Sequence, residues 1–422
     1  MSVASRLCSL RERRPVFVAL AVLTLVLLFV YPAIEAWVRA VEPNAQAINF
    51  QDLSVYQGAV HRFLNGQSIY VTNSHGGFWG TYLYPPIFIL VFWPFTALSH
   101  GGAGIAFGVL TTLLLWVALQ LAVSQLGVSL RWYERLLGLW ALAGYYPVML
   151  SFKLGQTGAL TGALVTFALV GLLADDRTGG FASGVATAGV GVLKFAYAPV
   201  GAHLLADRDR FLGALAGGVA LVAVSVLVFG LDANLHYLDV LAWGVGQGGG
   251  DRLPRAYLWF PPYFRQLHWL PGEFYVRLGI AALVAVASLL ARDADRAVFS
   301  LGVGTFLLIT PLPYVYYFVA AIPAVLALLA VEFDRGGYPA IPVLALLFFH
   351  VHAYGLNTLV SRLPPLVGGI PDWVYPLLQP GLWATLLLFG LAGYRVADAV
   401  VLPDRLAAGV PGRGSPRSRR ND

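Results

Sequence analysis

Long apolar runs constrain this chain more than any other feature of its sequence. Residues 16–31, 101–123 and 211–230 are examples, close to or within the roughly 17–25 residues a helix needs to cross a hydrocarbon layer of about 30 Å. No water reaches the backbone inside such a layer, so each run must satisfy its own amide groups as a helix. Only 11% of the residues are charged, against about 25% in soluble domains, too few to solvate a surface around so many apolar runs. The expected fold is all-α: a polytopic membrane protein with about twelve transmembrane helices.

The charges sit between the runs. Arg6, Arg11, Arg13 and Arg14 precede the first run, which places the N-terminus in the cytoplasm. Residues 45–47 read Ala-Gln-Ala, a small-residue cleavage pattern, but the run before them is long for a signal core, and an uncleaved first helix is expected. The remaining expected spans are 101–123, 135–150, 157–174, a hairpin of 181–193 and 195–205, 211–230, 274–291, a hairpin of 297–310 and 316–331, 338–354 and 376–394. The run after Tyr84-Pro85-Pro86, ending at Leu98, is short and proline-rich. Counting it as a span would put the later arginine clusters outside, so it is read as interfacial or re-entrant. Residues 1–397 then form a single transmembrane domain with two long external loops, 38–100 and 231–273, and 398–422 form a disordered cytoplasmic tail.

Several function classes fall away. The net charge of +6 is spread over the turns and forms no basic stripe with interleaved aromatics, so no nucleic-acid partner is expected. There is no phosphate-binding glycine loop with lysine and no His/Cys metal spacing. Cys8 is the one cysteine and has no intramolecular partner. Asp207-Arg208-Asp209 and Asp293-Ala294-Asp295 lie in short turns and read as solvated, self-paired loops, not a metal site.

The first external loop carries the candidate chemistry. Leu53, Tyr56, Val60 and Phe63 fall on one side at helical spacing, an amphipathic helix expected to lie on the membrane. Asp52 stands before it and Asn65-Gly66 after it. Asp52 can cap that helix, its carboxylate accepting free backbone N–H groups, or serve as a general base at the membrane surface.

A set of motifs in fixed order resembles glycosyltransferase family 87. They are Asp52, Val55-Tyr56, Gly66 and Tyr70; then Tyr82-Leu83-Tyr84-Pro85-Pro86 and its apolar run; then Leu154-Gly155-Gln156. Val192-Leu193-Lys194 with Pro199 follows, and last Thr310-Pro311-Leu312-Pro313-Tyr314-Val315-Tyr316-Tyr317. The resemblance runs from about Asp52 to Ala330. It implies a GT-C fold, a polyprenyl-phosphate sugar donor, a lipid or glycan acceptor, and Asp52 as the base. It also implies substrate contacts at Tyr56, Tyr84, Gln156, Tyr316 and Tyr317. Many members carry one or two histidines where this chain has Tyr316 and Tyr317; His350 and His352 are possible substitutes, although a histidine on a helix more often packs.

Lysine usage adds to this. Only Lys153 and Lys194 occur, against 27 basic residues in all, and both fall at expected outer helix ends, where the positive-inside rule does not put them. They are candidates to hold the donor phosphate, with Arg255, Arg265 and Arg252 of the second loop; simple snorkelling is the alternative. The reading is an inverting hexosyltransferase, with mannose as the sugar that the resemblance implies, working among membrane lipids and needing no metal or cofactor. The rival readings are a multi-pass transporter or glycolipid flippase, and a non-catalytic assembly subunit.

The topology is directly testable. Single cysteines at Asn73 and Gly248, in a chain lacking Cys8, should react with an impermeant thiol reagent from outside. Cysteines at Thr178 and Gly336 should react only after permeabilisation; labelling of Gly248 and Thr178 from one side would overturn the scheme.

Overall fold

The computed structural model describes residues 12–41, 49–74, 76–78, 80–174, 176–247, 267, 270–291, 293–311, 313–352 and 379–400. Regular structure within them is helical throughout. Helix α1 is Pro15–Val41 and α2 is Gln51–Leu64; a short mixed helical stretch, Pro86–Ala97, leads to α3, His100–Gln125. Then come α4 (Trp132–Gly144), α5 (Tyr146–Leu154), α6 (Gly158–Leu173) and α7 (Arg177–Leu193). A 3-10 segment, Phe195–Ala206, precedes α8 (Arg208–Gln247), and α9 (Glu273–Leu290) and α10 (Asp295–Ile309) follow. A 3-10 turn, Val315–Ala320, opens α11 (Ala321–Asp334); α12 (Ala340–Val351) and α13 (Pro380–Ala399) complete the described chain.

Among the described residues, five helices are long and apolar enough to cross a membrane: Pro15–Trp37, His100–Gln125, Arg208–Gly244, Glu273–Leu290 and Val315–Asp334. Most of the other expected spans are shorter, while α13, at 20 residues, is long enough but less apolar. Residues 135–150, read as one span, are two helices, because Pro147 cannot donate to the turn above it and starts α5 afresh. The amide of Tyr146 freed at this break donates to His350 Nδ1 at 3.2 Å. The Phe195–Ala206 segment has 12 residues, but at about 2.0 Å per residue a 3-10 path covers roughly the length of the 16-residue α6.

Two parts of the segments read as external loops differ from expectation. The segment 231–247, read as loop, continues α8 beyond a break at Gly230, whose φ of 80° is open to glycine. Asn234 bridges that break, donating to the Gly230 carbonyl at 2.7 Å and accepting from Ser225 at 2.7 Å. Helix α2 does not rest its apolar side on lipid. Leu53, Tyr56, Ala59 and Val60 are buried against protein, in a cluster with Tyr82, Tyr84, Ile87, Phe88 and Phe92.

The helices have two unlike ends. At one, ion pairs join separate turns: Arg177–Asp209 at 3.2 Å, Arg296–Asp334 at 2.8 Å, Arg335–Asp398 at 2.7 Å, and Arg210–Asp295. Arg14 joins them through the Gly337 carbonyl at 3.0 Å. In the two Asp-x-Asp turns, Asp209 and Asp295 are thus paired across turns, while Asp207 stays local and accepts the Arg210 amide at 2.8 Å. At the other end lie the turn between α5 and α6, Lys194 after α7, and the Thr310–Tyr317 connection from α10 to α11.

Glu332 and Arg395 form the most enclosed of these pairs, bidentate at 2.6 Å for both bonds, with side chains 0% and 8% exposed. Removing one partner of such a pair strands a charge, at a cost of about 3–5 kcal/mol. Glu332→Leu should therefore lower the unfolding temperature markedly in a detergent melt, and Glu332→Leu/Arg395→Met should regain much of it. Arg177→Ala should leave the melt unchanged, since that arginine is 90% exposed.

Candidate active site

Helix α2 opens in an unusual way. Its N-cap is Phe50, at φ 48° in the left-handed region, and no side chain caps it. Phe50 is the one non-glycine residue with positive φ among those described. Packing holds it there: its ring fills the space a side chain at Gly104 would take, 2.1 Å from an added Cβ, and its N–H donates to the Lys153 carbonyl at 3.0 Å. Asn49 Oδ1 accepts the Gln51 amide at 3.2 Å. The capping role considered for Asp52 is therefore not the one it has. Asp52 lies inside the first turn, and its carboxylate accepts from a side chain of another helical segment instead of from the helix end.

The partner of Asp52 is Gln156. Gln156 Nε2 donates to Asp52 Oδ2 at 2.8 Å. Gly155 makes the approach possible: its φ of 68° closes α5, and an added Cβ would stand 2.7 Å from Leu53 Cβ. The turn leaves little of its backbone unsatisfied. Gln156 N–H donates to the Ser151 carbonyl at 2.8 Å, Ser151 Oγ donates to the Gln156 carbonyl at 2.8 Å, and Ala159 N–H donates to Ser151 Oγ at 3.2 Å. Thr157 N–H donates to Gln156 Oε1 at 3.2 Å.

From Gln156 a polar path runs to Lys194. Gln156 Oε1 accepts from the Tyr56 hydroxyl at 3.0 Å, and Tyr84 Oη lies 3.3 Å from the same oxygen. Tyr84 Oη also lies 3.2 Å from Tyr56 Oη and 3.0 Å from Thr157 Oγ1. Lys194 Nζ donates to Tyr84 Oη at 3.5 Å. Lys194 caps the C-terminus of α7, an end that favours a cation. Its ammonium faces three tyrosine rings, 4.5 Å from the centroid of Tyr317, 5.2 Å from Tyr84 and 5.5 Å from Tyr316. Tyr314 stacks on Tyr316 with the rings 5° from parallel, widening the aromatic wall.

Burial pushes the Asp52 carboxyl above the ordinary carboxylate range, while the Gln156 hydrogen bond and the Lys194 charge pull it back in part. A half-buried carboxylate with a raised proton affinity, one oxygen held and a cation nearby, is equipped to take a proton from a hydroxyl group.

Of the residues singled out in the sequence, Asp52, Tyr56, Tyr84, Gln156, Lys194, Tyr316 and Tyr317 come together in this one cluster. Lys153 turns elsewhere and pairs with Glu35 of α1. Arg252, Arg255 and Arg265 lie outside the described residues. His350 and His352 sit apart, His350 stacked near Tyr145 and His352 accepting the Gly381 amide at 3.0 Å. Thr157, Tyr314 and Glu35 were missed. Thr157 adjoins a motif already noted, Tyr314 lies within one, and Glu35 is the one acid in a mostly apolar helix, a signal in itself.

The comparisons with known proteins point the same way. The model of glycosyltransferase family 87 matches residues 82–311, more than half of the 422 residues. The match takes in Tyr84, Gln156 and Lys194, begins after Asp52 and Tyr56, and ends before Tyr314. Searches of curated proteins and of solved structures found no match. With long apolar helices and this family match together, the chain belongs to glycosyltransferase family 87 and is a membrane glycosyltransferase.

Proposed function

We propose that the protein transfers a hexose, mannose in the family's pattern, from a polyprenyl-phosphate donor to a lipid or glycan acceptor in a single inverting displacement. The observation that carries this reading is the join of a carboxylate to a cation: Asp52 reaches Lys194 through Gln156 and Tyr84. Asp52 Oδ2 is held by Gln156, and among the described residues Oδ1 has no hydrogen-bond partner, so Oδ1 takes the acceptor proton. The acceptor oxygen attacks the anomeric carbon as the bond from that carbon to the phosphate oxygen breaks. The electron pair leaves with the polyprenyl phosphate, whose added negative charge Lys194 stabilises. Tyr84, Tyr316 and Tyr317 hold the ammonium in place and offer faces to the sugar; Tyr56 and Gln156 orient the base.

In the same reading the chain crosses the membrane about twelve times, with both termini cytoplasmic and the site extracytoplasmic. The gathering of arginine-bearing turns at the end opposite Asp52 supports that orientation. No nucleotide sugar is supplied on that side, so a lipid-linked donor fits. A transporter or flippase would need a gradient or an energy source; a transferase turns over without either.

Purified protein in lipid nanodiscs, given radiolabelled polyprenyl-phosphate mannose and membrane extract as acceptor, should form a labelled product. Asp52→Asn keeps an acceptor for Gln156 and should leave the unfolding temperature near wild type, while transfer falls roughly 10²–10⁴-fold. Lys194→Met should raise donor KM or lower kcat by about one to two powers of ten, the scale of a charged hydrogen bond of about 1.5–3 kcal/mol. The base must be ionised, so the rate should fall as pH drops through a value above the ordinary aspartate range, because burial has raised that group. A fully active Asp52→Asn enzyme would remove the base assignment.

A further inference from the structure

Lys153 was a phosphate candidate in the sequence, yet the fold uses it differently. Its side chain is 5% exposed and pairs with Glu35, itself 14% exposed. Tyr31 donates to the other oxygen of Glu35 at 2.8 Å, and its ring meets Tyr146 and His350 edge-on at 5.7 and 5.4 Å. The pair therefore ties the outer half of α1 to the last turn of α5. Drawing Lys153 away to a phosphate would strand Glu35 in a site nearly closed to water.

The main chain of Lys153 has a second task. Its carbonyl accepts the Phe50 amide at 3.0 Å, the bond that starts α2 in its left-handed turn. Two residues later comes Asp52, and three residues after Lys153 comes Gln156, its partner. One short piece of α5 thus fixes both members of the Asp52–Gln156 bond. We propose that the Lys153–Glu35 ion pair is a positioning device for Asp52, locking the end of α5 so that carboxylate and amide meet at bonding distance. The role of Asp52 as base rests on the function proposed above; the positioning itself does not.

Direct electrostatics and positioning predict different signs, which makes the test sharp. Through space alone, losing the Lys153 charge would raise the proton affinity of Asp52 and losing the Glu35 charge would lower it. Positioning predicts that both losses raise it, because each loosens the Gln156 bond that favours the ionised form. The other groups around Asp52 are Lys194, Tyr56, Tyr84, Tyr314 and Tyr316, and all are unchanged in the variants.

The experiment uses the full chain in nanodiscs and dicyclohexylcarbodiimide, an apolar reagent that attacks protonated carboxyls, with labelling of the Asp52 peptide followed by mass spectrometry against pH. Lys153→Met and Glu35→Leu should each move the half-labelling pH upward, as Gln156→Leu does. Lys153→Met should add nothing in the Gln156→Leu background, and Glu35→Leu/Lys153→Met, an apolar pair, should return toward wild type. Should a single variant fail to fold, Lys153→Gln and Glu35→Gln take its place. In transfer assays each single variant should lose roughly 10–100-fold in kcat, the scale of a displaced reacting group, with donor KM held within about two-fold. Opposite shifts from Lys153→Met and Glu35→Leu, or no shift, would overturn the proposal. So would a raised donor KM confined to Lys153→Met, which would return the lysine to the phosphate. The labelling needs no sugar donor, so a wild-type protein that transfers no mannose defeats the proposed function and leaves this result standing.

Discussion

The side-chain amide of Gln156 can face only one way, and much of the site follows from that. Its oxygen receives the Thr157 N–H and the Tyr56 hydroxyl, both donors, so its NH₂ group must point to an acceptor. Asp52 is that acceptor. A side chain that completes the first turn of α6 thereby also fixes a carboxylate on α2. Tyr84 joins through the same oxygen, and Lys194 through Tyr84. Were the amide reversed, it would set its NH₂ against the Thr157 N–H, which can only donate, and its oxygen against a carboxylate, so the orientation is held from both sides.

The membrane sets the terms on which such a site is built. A chain in hydrocarbon cannot leave amide groups bare, so a break in a helix survives only where side chains or tight turns answer it. Each break here is answered in that way: His350 takes the Tyr146 amide, Asn234 bridges Gly230, and Ser151 with Gln156 completes the turn after α5. At Gln156 one side-chain amide both repairs the backbone and holds the carboxylate of the proposed base. At the opposite end, by contrast, several of the charges pair with each other.

The sequence made part of this plain. Apolar length gave the helical membrane class, and the ordered motifs named Asp52, Tyr84, Gln156 and Lys194 before their contacts were known. Other parts depend on packing between distant residues. Nothing local indicates that Phe50 adopts a left-handed turn, a conformation uncommon for a bulky residue and held here by the gap at Gly104. From spacing alone, therefore, a capping role for Asp52 stands beside that of a base. Lys153 and Glu35 lie 118 residues apart, and their pairing is invisible to spacing; Lys153 alone reads as a phosphate ligand or a snorkelling charge. The break before α5, by contrast, was written in Pro147 and was overlooked because the apolar run continues through it.

The contact between α7 and α8 has a consequence for how the chain is made. Helix α7 has 17 residues, five of them glycine, and at about 1.5 Å per residue it falls short of a hydrocarbon layer of about 30 Å. It meets α8 backbone to backbone: a Cβ at Gly184 would lie 2.0 Å from the Arg210 carbonyl, and one at Gly213 would lie 2.1 Å from that of Phe181. Small residues that let two helices touch also leave each with little side chain to offer lipid. Such a helix is a poor candidate for release into the bilayer ahead of its neighbour. Packed on the longer α8, it gains along that side the contacts that lipid would not give it.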